Sequence, residues 1–178
     1  PDVTTPTHDK YTNQKVMEFS LYAQDKLEFE DFIINAGLRF ERFDPNGTYF
    51  PNLLAPPVHE GDYANLSQEA DATMLLMPRL GVSFPITETG IIHFSYGHFA
   101  QMPRLRNLYL NPEFEFGVGS NPTFGNTNMR PERTVQYEIG LQQSLTSSLA
   151  FEVTGFFKDI RDYLALQTIR FSSVAGED

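Results

Sequence analysis

The side chains best suited to grip a ligand lie in FAQMPRLRNLYLNPEF, Phe99 to Phe114. Arg104 and Arg106 can give charge-assisted hydrogen bonds to an anion, and Tyr109 can add an aromatic surface for a ring-bearing ligand. The plainer use of both arginines is pairing with acidic loop residues or with phosphates at the surface around the loop. A metal site has less to draw on. His93 and His98 are separated by an odd step along a strand, so they face opposite sides and cannot share an ion, while His8 and His59 stand alone. Glu60, Asp62, Glu69 and Asp71 lack the order of a calcium-binding loop and read as solvated loop charges.

Catalysis finds no support. There is no cysteine and no Gly-x-Ser-x-Gly elbow, and Ser83 and Ser95 sit among neighbours that suit packing rather than nucleophile activation. Glu138 and Glu152 could be drawn as an acid/base pair, but the alternation described next already accounts for both. The glycine-rich run Gly117 to Asn126 neither leads from a strand into a helix nor ends in Lys-Ser/Thr, so it reads as a loop and not as a phosphate cradle. No cofactor is expected. With 13 Lys plus Arg against 23 Asp plus Glu, the net charge of −10 repels a phosphate backbone and argues against a nucleic-acid partner.

The elements that must position these residues are strands. From Met17, odd positions run Met17, Phe19, Leu21, Ala23 and even ones Glu18, Ser20, Tyr22, Gln24. After a turn at Glu30-Asp31, Phe32, Ile34, Ala36, Leu38 and Phe40 oppose Asn35, Gly37, Arg39 and Glu41. A second hairpin sets Leu80, Val82 and Phe84 before the turn Thr87 to Gly90 and Ile92, Phe94 and Tyr96 after it. A third joins Val135 to Leu145 with Leu149 to Phe157 through Thr146-Ser147-Ser148. Between hairpins lie long segments at about 44–77 and 100–133, far longer than the connections usual in compact domains. No window holds enough consecutive apolar residues for a membrane helix, but half-apolar strands of this length can cross a bilayer.

Alternation suits a soluble sandwich as well as a membrane barrel, since each buries one face of a sheet. Tight turns at one end and long loops at the other favour the barrel, as do aromatic residues near strand ends such as Phe29, Phe32, Phe84, Phe40 and Tyr96. The expected fold is an all-β, antiparallel, up-and-down transmembrane β-barrel segment of about six strands. Its lipid-facing stripe is Phe19, Leu21, Ile34, Leu38, Val82, Phe94, Ile139 and Val153, and its lumen-facing residues are Glu18, Gln24, Arg39, Glu138 and Glu152.

Three stretches carry a family resemblance: Tyr22 to Pro45 with its NAGLRF, Pro78 to Pro103 preceded by Met77 in MPRLG, and the run NTNMRPERTVQYEIG from Asn126 to Gly140. Together they resemble consecutive barrel segments of TonB-dependent outer-membrane receptors, especially of the Bacteroidetes type, with Met129-Arg130 where that family commonly has Leu-Lys. The resemblance implies a 22-stranded barrel closed by an amino-terminal plug, located in the bacterial outer membrane. Such a receptor imports a siderophore, cobalamin, glycan or peptide with energy delivered through TonB. Residues 1–178 would be part of that one barrel domain, with the plug outside this chain, and would meet outer-membrane lipid, lipopolysaccharide and the nutrient. Two rival readings stay open: a passive porin-like barrel, and a soluble carbohydrate-binding β-sandwich.

Overall fold

A computed structural model describes residues 15–52, 66–110 and 123–168. Strands β1 (Met17–Glu28), β2 (Ile33–Asp44), β5 (Thr73–Thr87), β6 (Gly90–Gln101), β7 (Glu132–Thr146) and β8 (Leu149–Arg161) form one six-stranded sheet in the order β1-β2-β5-β6-β7-β8. Every pairing is antiparallel. Strands β3 (Thr48–Tyr49) and β4 (Gln68–Glu69) pair separately, and one short helix, α1 (Leu105–Tyr109), follows β6. No helix among the described residues is long and apolar enough to cross a membrane, whereas the main strands, at 12 to 15 residues, have ample reach.

The three hairpins turn where the sequence breaks its alternation. Phe29 N–H donates to Phe32 carbonyl at 2.9 Å, closing the first turn; Thr89 N–H donates to Thr87 Oγ1 at 3.3 Å in the second, and Ser148 N–H to Thr146 Oγ1 at 3.3 Å in the third. These side-chain acceptors do locally what a ladder partner does elsewhere. The second turn is tied to β7 as well, because Ser144 N–H donates to Thr89 carbonyl at 2.9 Å and Gln143 Nε2 to Thr89 Oγ1 at 2.9 Å.

Register puts like with like. Ala23↔Leu38, Leu38↔Pro78, Val82↔Phe94, Phe94↔Ile139 and Leu141↔Val153 are direct partners, so all eight residues of the expected lipid-facing stripe share one face. Aromatic contacts cross the strands on that face: Phe32 to Phe84 at 5.9 Å, Phe84 to Phe94 at 6.3 Å, Tyr96 to Tyr137 at 5.1 Å and Tyr137 to Phe157 at 6.3 Å. Nothing among the described residues packs over it. Phe19, Leu21, Leu38, Leu80, Phe94, Ile139 and Val153 are all exposed, the inverse of a soluble sandwich, in which a second sheet would cover them at about 10 Å. A contiguous apolar face of this extent marks a surface meant for lipid or a partner. The fold is thus a partial all-β barrel wall, apolar on one side and polar on the other.

One boundary departs from the expected loop at about 44–77. Strand β5 already begins at Thr73, because Met74, Leu75, Leu76 and Met77 are apolar on both faces and so conceal the strand period. The inner-phase residue Met77 is buried, which rewards an apolar side chain where a polar one would keep the alternation.

Candidate lumen face and outer loop platform

The five polar residues expected to face a lumen all share the face opposite the aromatic contacts. Arg39 holds Glu41 through Nε at 3.0 Å and Nη2 at 2.9 Å, which compensates the buried Glu41 carboxylate. Glu138 accepts from Gln136 Nε2 at 3.1 Å and lies 3.8 Å from His93 Nε2. The His93 ring lies over Gly140, where a Cβ would come within 2.2 Å of ring atoms, so the glycine makes room for that ring. Glu18, Gln24 and Glu152 are exposed on the same face, opposite Phe43, Gly37 and Gln142 respectively. Two cations there rest on rings, Arg79 over Phe99 at 4.8 Å and Lys158 over Phe156 at 5.3 Å, pairings that alternation alone does not reveal.

At the long-loop end the chain builds a small core of its own. Phe43 from β2 packs with Leu108 and Tyr109 of α1, and Val16, Met102 and Met129 close around them. Leu108 is 2 % and Tyr109 4 % exposed. Polar contacts clasp the β2–β5 connection to the β6–β7 connection. Tyr109 OH donates to Pro45 carbonyl, Thr127 Oγ1 to Thr48 carbonyl at 2.9 Å, and Asp71 N–H to Asn128 Oδ1 at 3.3 Å. Gly125 N–H donates to Leu110 carbonyl at 2.7 Å, and a Cβ on Gly125 would sit 2.6 Å from both Leu108 carbonyl oxygen and Leu110 N, so only glycine allows that approach. Asn46 takes a positive φ of 47° to start the turn into Gly47, a conformation asparagine tolerates better than most residues.

These facts divide the expected ligand residues. Arg104 and Arg106 are exposed and make no ion pair among the described residues. Tyr109 corrects the expectation: its ring is inside the clasp and its hydroxyl is spent on Pro45, so it holds the platform and offers no aromatic surface to a ligand. Burial, and then the nearby Asp44 carboxylate, push its phenol pKa above the ordinary value. Among the described residues no group of three or more His, Asp or Glu could hold a metal. Glu69 and Asp71 are exposed, as expected of loop charges, while His8, His59, Glu60, Asp62 and Gly117 to Pro122 lie outside the described residues.

The family model described as "TonB dependent receptor-like, beta-barrel" matches residues 1–176. The chain belongs to the TonB-dependent receptor β-barrel family. No curated protein matches it in sequence. Solved structures that share the receptor segment's fold include two metal transporters. The FrpB iron transporter from Neisseria meningitidis is 19% identical with a TM-score of 0.55, over 84% of this chain and 19% of that one. The copper transporter OprC is 16% identical with a TM-score of 0.55, over 83% of this chain and 22% of that one. The receptor segment therefore spans about a fifth of the length of these two chains. Receptor barrels of this family reside in the outer membrane, and an exposed apolar face is what that location requires of a barrel wall.

Proposed function

We propose that this chain is part of an outer-membrane active transporter that imports a scarce nutrient, a siderophore, cobalamin, glycan or peptide, with energy delivered by TonB. The observation that carries this reading is the inverted polarity of a family barrel wall: exposed Phe94 and Ile139 on one face, and Arg39, Glu41, His93 and Glu138 in polar contact on the other. The apolar face meets outer-membrane lipid and lipopolysaccharide. The polar face, with Glu18, Gln24, Arg39, Glu138 and Glu152, lines the lumen, and residues 1–178 form part of one barrel domain whose outer connections run between the strands over 45–72 and 102–131. A plug elsewhere in the polypeptide fills that lumen and couples it to TonB.

Arg104 and Arg106 are the proposed ligand contacts. They flank Leu105 at the exposed start of α1, whose other end is fixed by Leu108 and Tyr109, so their backbone is held still while their guanidinium groups stay available. Exposed guanidinium groups with no ion pair among the described residues, in a chain of net charge −10, favour an anionic portion of the nutrient.

The test is uptake of a panel of these four nutrient classes by cells carrying the full-length receptor, with and without functional TonB. Uptake that requires both receptor and TonB is expected. Uptake that persists without TonB would replace this reading by a passive barrel.

A further inference from the structure

The cations on the strands of the sheet fall into two groups. Lys26, Arg39, Arg42, Arg133 and Arg161 each hold a carboxylate, on Glu28, Glu41, Asp44, Asp162 and Asp159 respectively. Arg79 and Lys158 make no ion pair among the described residues and rest on the rings of Phe99 and Phe156 instead. Lys158 belongs to β8, an edge of this sheet. Arg79 lies inside it, on β5 between β2 and β6, and neither neighbour supplies an anion.

The positions around Arg79 keep it unpaired. Its direct partners in register are Gly37 on β2 and Gly97 on β6, and Gly81, next on the same face, lies between Asn35 and Ser95. A Cβ on Gly97 would come within 3.0 Å of Phe99 Cε2 and Cζ, so this glycine gives the ring its seat beneath the Arg79 guanidinium. Gly37 has no such duty. A Cβ there would meet nothing nearer than 3.7 Å, so glycine at this position leaves open space beside Arg79. A strand-interior glycine that packing does not require suits close approach by a ligand. Glu138, two strands from β5, is already engaged by Gln136 and faces His93.

Phe99 supports one face of the exposed Arg79 guanidinium, and its N–H edge makes no hydrogen bond among the described residues. That edge offers paired donors matched to a carboxylate or a phosphate. Arg79 also stands below the loop arginines. Phe43, on the inward face of β2, packs with α1 and pairs with Thr73, and Arg79 lies six residues farther down the same face of β5, about 20 Å. We infer that Arg79, braced on Phe99 and flanked by Gly37 and Gly97, is an oxyanion site inside the lumen. It receives the carboxylate or phosphate of the nutrient after that group leaves Arg104 and Arg106. This rests on the importer reading and adds a station within the barrel to the contacts proposed at its mouth.

The test places 4-fluorophenylalanine at position 99 of the full-length receptor in lipid nanodiscs. Its fluorine resonance is followed as citrate or inorganic phosphate replaces chloride at fixed pH and ionic strength. A saturable shift is expected from at least one anion, and the one that responds tells a carboxylate site from a phosphate site. Arg79→Gln should weaken the response roughly tenfold or more. Gly37→Asp, which sets a carboxylate directly opposite Arg79, should do the same with the arginine still in place. Arg42→Gln, on the outward face of β2, should leave it unchanged. No shift in the wild type, or an equal shift in Arg79→Gln, would overturn the site. A plug carboxylate that occupies Arg79 would give the first of these results together with a lower unfolding midpoint for Arg79→Gln. Failure of the importer reading would appear elsewhere, as uptake that persists without TonB, and would leave the anion response in place.

Discussion

Replacing Phe94 by lysine separates a membrane wall from a soluble sheet by the size of the loss. Phe94 is the fifth residue of the 12-residue β6, paired with Val82 and Ile139 on the outward face, and 44% exposed. In hydrocarbon, lysine near the midplane costs about 2–4 kcal/mol. Loss of the contact with Phe84 adds about 0.5–1.5 kcal/mol. The first contribution alone shifts the folding equilibrium by roughly 30-fold to 1,000-fold. Ser95→Lys, one residue on, faces the other side beside Glu138 and should stay within about 0.5 kcal/mol of wild type. Equilibrium unfolding of the full-length receptor in lipid vesicles by urea, read by heat-modifiable mobility, measures both. If the half-exposed Phe94 faced water, lysine there would cost only the Phe84 contact, about 0.5–1.5 kcal/mol. A loss no greater than this would therefore refute the lipid-facing assignment of this face.

The outer loop platform yields further expectations. Tyr109→Phe keeps the ring but leaves Pro45 carbonyl without its donor, and should weaken the clasp by about 1–3 kcal/mol, seen as faster amide exchange around Leu108 and Gly125 with the strands unchanged. Because the folded-state pKa of Tyr109 is raised, its contribution is fully present below the ordinary phenol pKa and is lost as pH rises through the raised value; amide exchange in the platform should quicken there in the wild type and not in Tyr109→Phe. Gly125→Ala brings a methyl group against backbone atoms that cannot step aside, and should loosen the same residues by about 1–3 kcal/mol or more on the same measurement. Arg104→Gln and Arg106→Gln should each raise the nutrient Kd about tenfold with no change in unfolding midpoint, whereas a shared drop in stability would make these arginines structural.

Much of this fold was legible because a strand period of two leaves so clear a trace in β1, β2, β7 and β8, where charged and apolar residues alternate with few exceptions. The period vanishes at Thr73 to Met77, where buried inner-phase Met77 makes both faces apolar and the start of β5 leaves no local trace. The clasp was hidden for a different reason. Tyr109 and Pro45, or Thr127 and Thr48, are brought together only by the order of the sheet, and no local pattern announces a hydroxyl that donates to a distant carbonyl. In the sequence Tyr109 offers a ligand surface; in the fold its chemistry is consumed internally. Asn46-Gly47 was the available local clue, since that pair favours a tight turn and marked a place where the loop folds back.

Each strand of the sheet lies beside its neighbours in sequence, with no crossover. A barrel wired in this way can lengthen or shorten only by whole hairpins, because removing a single strand would invert the direction of everything downstream. The natural unit of gain or loss is therefore a strand pair with its tight turn, such as Thr73 to Gln101. The clasp restrains even that freedom. Excising this middle pair would join Ala72 directly to Met102 and erase the separation that lets Pro45 and Thr48 receive Tyr109 and Thr127, so the outer platform records which hairpins have been inherited as a set.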